Sequence, residues 1–182
     1  MPSPVGHAMA GLIVALAGEK ARGRGLENQA ALRVPWTLFL VCMFLAALPD
    51  IDHVYMPIHR GPTHSIGATV IVLLVAAGVT WWTTGRIRWR IAVVCALAYF
   101  SHIVMDWLGE DPTIRPGVKA LWPISDRLFM SGWDIFRRTE RFEPLAPVQI
   151  AHNLRTLLQE VILLGPLLIW LLWRRTKTAG RT

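Results

Sequence analysis

Charge is scarce in this chain of 182 residues. Asp, Glu, Lys and Arg make up 17% of it, where a soluble domain carries about 25%. A charged surface on all sides is therefore hard to build. Cysteine is scarcer: Cys42 and Cys95 both fall inside apolar stretches, which leaves no disulfide framework. Internal repeats and low-complexity tracts are lacking too, and the length suits one domain rather than two large ones. No Lys or Arg precedes the first apolar stretch, residues 5–18. Ala15-Leu16-Ala17 has the look of a signal-peptidase site, but the basic n-region is missing, so the stretch reads as a mature first helix.

What is abundant is apolar sequence in blocks: residues 5–18, 34–48, 66–82, 91–108 and 157–173. Each is slightly short of the roughly 20 residues of a perpendicular span, and flanking residues extend most of them. The first is the weakest and reads either as a span or as a half-inserted, in-plane helix. Nine Trp, most of them at block ends, suit interfacial aromatics. The net charge of +7 does not point to nucleic acid, because Lys and Arg concentrate in short segments between or after the blocks. Residues 19–33, 83–90 and the tail after 173 carry them. If all five blocks span, these segments share one side, and the positive-inside rule makes it cytoplasmic. The other side holds the linkers 49–65 and 109–156.

The long linker 109–156 is irregular in its first half, where Pro112, Pro116 and Pro123 interrupt it. Leu128, Phe129, Trp133 and Phe136 then recur at helical spacing opposite Asp126, Arg127, Asp134, Arg137 and Arg138, which predicts an amphipathic element in the interface or on the spans. A helix is expected from Pro147 into the last block, kinked at Gly165-Pro166. Fold class follows: an all-α, polytopic membrane bundle of four to five transmembrane helices with an interfacial amphipathic segment, one domain over 1–182.

Chemistry concentrates between the second and third blocks. Asp50, Asp52, His53, His59 and His64 lie within fifteen residues. Carboxylate oxygen and imidazole nitrogen are the ligands that zinc, manganese and iron take. His102 and Asp106, four apart near the end of the fourth block, face the same side of a helix. Ionisable residues inside a span are costly and mark function by default, although a buried His–Asp bond pinning two helices is the plain alternative. His7 starts the first block on the same side as all of these. Four sequence-distant sets thus converge on one membrane face under a topology drawn from Lys and Arg alone. Candidate metal ligands are His7, Asp50, His59, His64, His102 and Asp106. Arg60 is a candidate for phosphate or oxyanion stabilisation. Asp126 reads as an N-cap, His152 as interfacial and Glu160 as a partner for an Arg.

Pro49-Asp50-Ile51-Asp52, His59-Arg60-Gly61-Pro62-Thr63-His64-Ser65 and Ser101-His102-Ile103-Val104-Met105-Asp106 resemble the signatures of the YdjM-like membrane-bound metal-dependent hydrolases. His7 and Leu121-Trp122-Pro123 are also similar to that family, in its order. The family is itself distantly similar to zinc-dependent phospholipase C. That resemblance implies His7, Asp50, His64, His102 and Asp106 as ligands, with Asp106 bridging. The chain departs from the phospholipase pattern in having neither its N-terminal Trp ligand nor a later His-x-x-x-Glu pair. One or two divalent ions, zinc first, are therefore expected rather than three.

The reading is a membrane hydrolase whose metal activates water and polarises a phosphoester of a lipid or lipid-linked substrate, at the non-cytoplasmic face of the inner (cytoplasmic) membrane. Asp52 or His53 is the expected general base, and Arg60 meets the developing charge. The alternative is a metal-ion or proton-coupled transporter, or a metal-binding membrane protein without hydrolytic activity. Transporters more often show two similar halves and paired broken helices, which are lacking here. A closed structural site usually has four ligands, often Cys; no Cys is near this cluster and the candidates exceed four.

Overall fold

The computed structural model describes residues 1–20, 36–54, 60–113, 116–140 and 146–179. His59 and the cationic stretch 21–35 lie outside them. Five α-helices are present among the described residues: α1 (Pro4–Lys20), α2 (Trp36–Ala47), α3 (Ile66–Thr84), α4 (Trp89–Trp107) and α5 (Pro147–Ala179). Short 3₁₀ turns, Leu48–Val54 and Pro62–His64, lie between α2 and α3. Ile66–Thr84, Trp89–Trp107 and Pro147–Lys177 are long and apolar enough to cross a membrane, and Pro4–Glu19 is a shorter apolar helix. No β-strand forms among the described residues beyond isolated bridges.

Local signals explain the helix limits. Pro4 opens α1 at a position that needs no N–H, and the Ser3 hydroxyl caps it by accepting from Gly6 N at 3.0 Å. Ser65 caps α3 in the same way through Ala68 N, and Gly85, at φ 68°, ends it in the left-handed conformation. Further N–H groups of α3, from Ile66 and Gly67, reach the carbonyls of Ala120 and Trp122. The Leu121-Trp122-Pro123 segment thus holds the start of α3, directly after His64. α5 begins at Pro147 and remains one helix through Pro166.

α1 is the centre of the bundle: α2, α4 and α5 all pack on it. Small residues make this possible. A Cβ at Gly11 would lie 2.4 Å from the Cys42 carbonyl oxygen, so only glycine lets α2 approach so closely. Ala15, Leu16, Phe39, Cys42, Val94 and Ala98 fill the core below. α3 lies outside, packed on α4, and exposes Val70, Ile71, Leu74, Val75 and Val79, the apolar surface a bilayer would cover.

The two ends of the bundle differ in chemistry. At one end Arg90 donates to the Gly18 carbonyl at 2.6 Å, Arg175 meets Glu19 at 3.5 Å and stacks over Trp36 and Phe39. Arg86, Arg88, Arg174 and Lys177 belong to this end, as the charge pattern requires. The other end gathers the start of α1, the end of α2, the start of α3 and the end of α4.

The amphipathic pattern of 128–138 does not become a helix. Gly132 and Asp134 take positive φ, 71° and 48°, which breaks helical propagation. The chain is held instead by bridges of Phe129 to Val118 and Phe136 to Gly109. Phe136 is buried against Ala10 and Met105, while Trp133 stays exposed. With no helix there to cap, Asp126 is an exposed partner of Lys119 at 2.8 Å. His152 bonds the Arg138 carbonyl at 2.9 Å, tying α5 to this segment. Glu160 pairs with Ser3 rather than with an Arg.

Candidate metal centre

Four of the expected ligands, Asp50, His64, His102 and Asp106, present donor atoms that all lie within 4.8 Å of one another. The backbone brings them together from three places: the turn after α2, the turn before α3 and the last turns of α4. His7, His64 and His102 have no exposure, and the Asp106 side chain has 1%. Asp50, with 12% of its side chain exposed, is the member that reaches the surface.

The hydrogen bonds decide which imidazole nitrogens are available. His102 Nδ1 lies 2.8 Å from the Ala46 carbonyl, which can only accept, so Nδ1 carries the proton. His64 Nδ1 lies 3.0 Å from Thr63 Oγ1 and 3.3 Å from Asp52 Oδ2. Thr63 gives its own hydrogen to Asp52 at 2.5 Å, so both neighbours accept from His64. Each ring therefore turns a bare Nε2 lone pair inward.

Those two Nε2 atoms are 3.1 Å apart. Asp106 Oδ2 lies 3.2 Å from the His102 nitrogen and 3.4 Å from that of His64. Asp50 Oδ1 is 3.8 Å from each. Two nitrogens at about 2.05 Å from a tetrahedral zinc would be about 3.3 Å apart, close to the separation found. Asp106 is buried, yet neither of its oxygens makes a well-directed hydrogen bond. Two carboxylates and two neutral imidazoles carry a formal charge of −2, which burial makes costly unless a cation offsets it. The donor set, the separation and the charge fit a divalent ion.

Electrostatics at His64 agree. Burial alone would lower its pKa, but the Asp106, Asp50 and Asp52 carboxylates around it outweigh this and raise it to about 10. Without a metal, a proton supplies the positive charge that the carboxylates demand.

The remaining candidates fall into distinct places. His7 stacks on His102 with ring centroids 3.8 Å apart, and its Nε2 is 3.4 Å from Asp106 Oδ1. Asp106 thus turns one oxygen to His7 and the other to the His64–His102 pair. Asp52 stands on the Nδ1 side of His64, away from the inward lone pairs, where it orients the ring. His53 lies in the turn that carries Asp50 and Asp52. Arg60, at φ 61°, directs its guanidinium to Asp111 and Thr113 and its Nε to Met1 Sδ, so it is an anchor for the 109–113 segment.

Sequence reasoning did not single out Thr63, Tyr99 or Ala46. Tyr99 donates to the Thr63 carbonyl at 2.6 Å and fixes the turn before His64. A polar ring three residues before His102 in an apolar span was the available signal. Ala46 contributes only its carbonyl, and no side chain announces that.

A bundle with membrane-spanning helices and a buried His–Asp cluster at one end defines a polytopic membrane protein with a candidate metal site. The family model described as YdjM inner membrane protein matches residues 1–179, and the chain belongs to that family. The description states a membrane location and no activity. No curated protein and no solved structure matches the chain.

Proposed function

We propose that this protein is a membrane-embedded, metal-dependent hydrolase acting on a phosphoester of a lipid or lipid-linked substrate, with its site at the non-cytoplasmic face. The observation that carries the reading is the pair of inward Nε2 lone pairs on His64 and His102, 3.1 Å apart, with Asp106 closing the third side. His64, His102 and Asp106 would hold the ion, and Asp50 offers a fourth contact at the mouth. A divalent ion there, zinc first, supplies Lewis acidity and lowers the pKa of water toward neutrality.

The chain's own residues do the rest. Thr63, Asp52 and the Ala46 carbonyl keep the imidazoles oriented. Asp50, the least buried of the four, would accept a proton from water entering the mouth. Ile51, beside it and 64% exposed, gives the mouth an apolar rim suited to a lipid. The cationic end of the bundle lies opposite, which by the charge rule supports a mouth on the non-cytoplasmic side.

Purified protein in lipid nanodiscs, loaded with zinc or manganese, tests the activity against phospholipids and polyprenyl phosphates. Metal-dependent release of phosphate or head group, lost on chelation and in His102→Ala, is expected. A fully loaded protein that cleaves none of these would favour the transporter or metal-handling reading.

A further inference from the structure

We infer that Glu160, on α5, is a positioning residue for this site: it fixes the first turn of α1 and thereby sets His7 against Asp106. The inference rests on the metal reading above and deepens it.

Glu160 is fully buried on α5, in an apolar stretch whose Leu158, Val161 and Ile162 face outward. An ionisable side chain at such a position is costly and calls for a reason. Its hydrogen bonds come from the first turn of α1: Ser3 N donates to Oε1 at 2.5 Å and Ser3 Oγ donates to Oε2. No cation faces it in an ion pair among the described residues. Ser3 is itself the cap of α1, accepting from Gly6 N. The carboxyl lies directly over Gly6, where a Cβ would sit 2.6 Å from Cδ and 2.7 Å from Oε2. Glu160 therefore holds the cap and covers the residue before His7.

His7 needs such a hold more than the other histidines do. His64 and His102 are each oriented through Nδ1, by Thr63 and Asp52 or by the Ala46 carbonyl. His7 has no hydrogen bond at Nδ1; its ring is placed by stacking on His102 and by Nε2 lying 3.4 Å from Asp106 Oδ1. Its position is inherited from the backbone of the first turn, where His7 N bonds the Ser3 carbonyl at 3.1 Å. Ser3 is the residue Glu160 clamps.

The test uses the full chain in detergent, with Glu160→Ala, Glu160→Gln, His7→Ala and the double variant Glu160→Ala/His7→Ala. Zinc affinity is read by competition with a chelator, the cobalt form by its visible absorption, and the metal-free form by its melting temperature. Glu160→Ala is expected to weaken zinc by about tenfold to a hundredfold, as loss of an orienting partner does. It should give the cobalt spectrum of His7→Ala, and the double variant should lose no more than His7→Ala alone. Glu160→Gln, which can still accept from Ser3 N, should recover most of the affinity. Ser3→Ala should move affinity and spectrum in the same direction and serves if Glu160→Ala fails to fold. Additive losses overturn the inference, as does a lowered melting temperature with affinity and cobalt spectrum unchanged. A wild-type protein that binds no metal overturns the proposed function itself, and this inference with it.

Discussion

His64 and His102 face each other through Nε2 atoms 3.1 Å apart, while both Nδ1 atoms are already engaged. Two bare lone pairs at this distance repel unless something positive lies between them. A proton and a divalent cation both meet that need, and the pH dependence below follows from their competition.

Orientation of His64 depends on Asp52, which accepts from Thr63 and faces Nδ1. Asp52→Asn is expected to lower metal affinity by about tenfold to a hundredfold without abolishing binding. Chelator competition measures it. An unchanged affinity would remove Asp52 from the support of the site.

Metal uptake should depend on pH. The His64 pKa is raised to about 10, so the metal-free protein keeps a proton there at neutral pH and a cation must displace it. Affinity should rise about tenfold per pH unit between roughly pH 7 and 9, one proton being released per ion. For the metal-free fold the sign is opposite. The stabilisation from a raised His pKa is complete below about 6.5 and is lost as pH climbs through about 10. The metal-free protein should therefore melt lower at pH 10 than at pH 7, and a pH-independent metal affinity would contradict the account.

The cluster was legible in the sequence because its ligands are chemically conspicuous. Asp50, His64, His102 and Asp106 are ionisable groups beside or inside apolar blocks, and the i, i+4 spacing of the last two fixed their common face. The bundle's cationic end was legible for the same reason. Other features were not. The spacing of Leu128, Phe129, Trp133 and Phe136 imitates a helix, but positive φ at Gly132 and Asp134 defeats it, and such backbone choices leave little trace in hydrophobic periodicity. The central place of α1 was hidden too. Its glycines weaken it as an isolated helix and are what allow neighbours such as α2 to approach. Glu160 suggested an ion pair, whereas its partner, Ser3, lies 157 positions away and is uncharged.

Close packing at Gly11 makes a stability prediction independent of metal. A Cβ there would lie 2.4 Å from Cys42 O and 2.7 Å from Ala46 Cβ, so α1 and α2 must separate. Gly11→Ala should cost about 1–3 kcal/mol, the usual cost of overpacking. A thermal melt of the metal-free protein in detergent reads this, and a neutral outcome would show that the helices are less closely fitted.

The Arg60–Asp111 pair anchors the loop beyond α4. Burial opposes ionisation of Asp111, but Gly117 N, Thr113 and Arg60 together hold its pKa below the usual range. Its stabilisation is present above about pH 4, the unfolded value, and is lost as pH falls through the lower folded value. Asp111→Asn should lower stability by about 1–3 kcal/mol at pH 7, where a charge-assisted bond is lost, and by less near pH 3. Equal effects at both pH values would show that charge at Asp111 is unimportant.

The central claim is that the His–Asp cluster holds a divalent metal, and elemental mass spectrometry tests it most directly. The samples are the detergent-purified wild type, His102→Ala and Asp106→Ala, with a cooperative melt to show that each is folded. The account predicts at least about one zinc or manganese ion per wild-type chain and less than about a tenth of that in both variants. A folded wild type that takes up no metal even after reconstitution would contradict it and leave His102 and Asp106 as a buried polar pair joining helices.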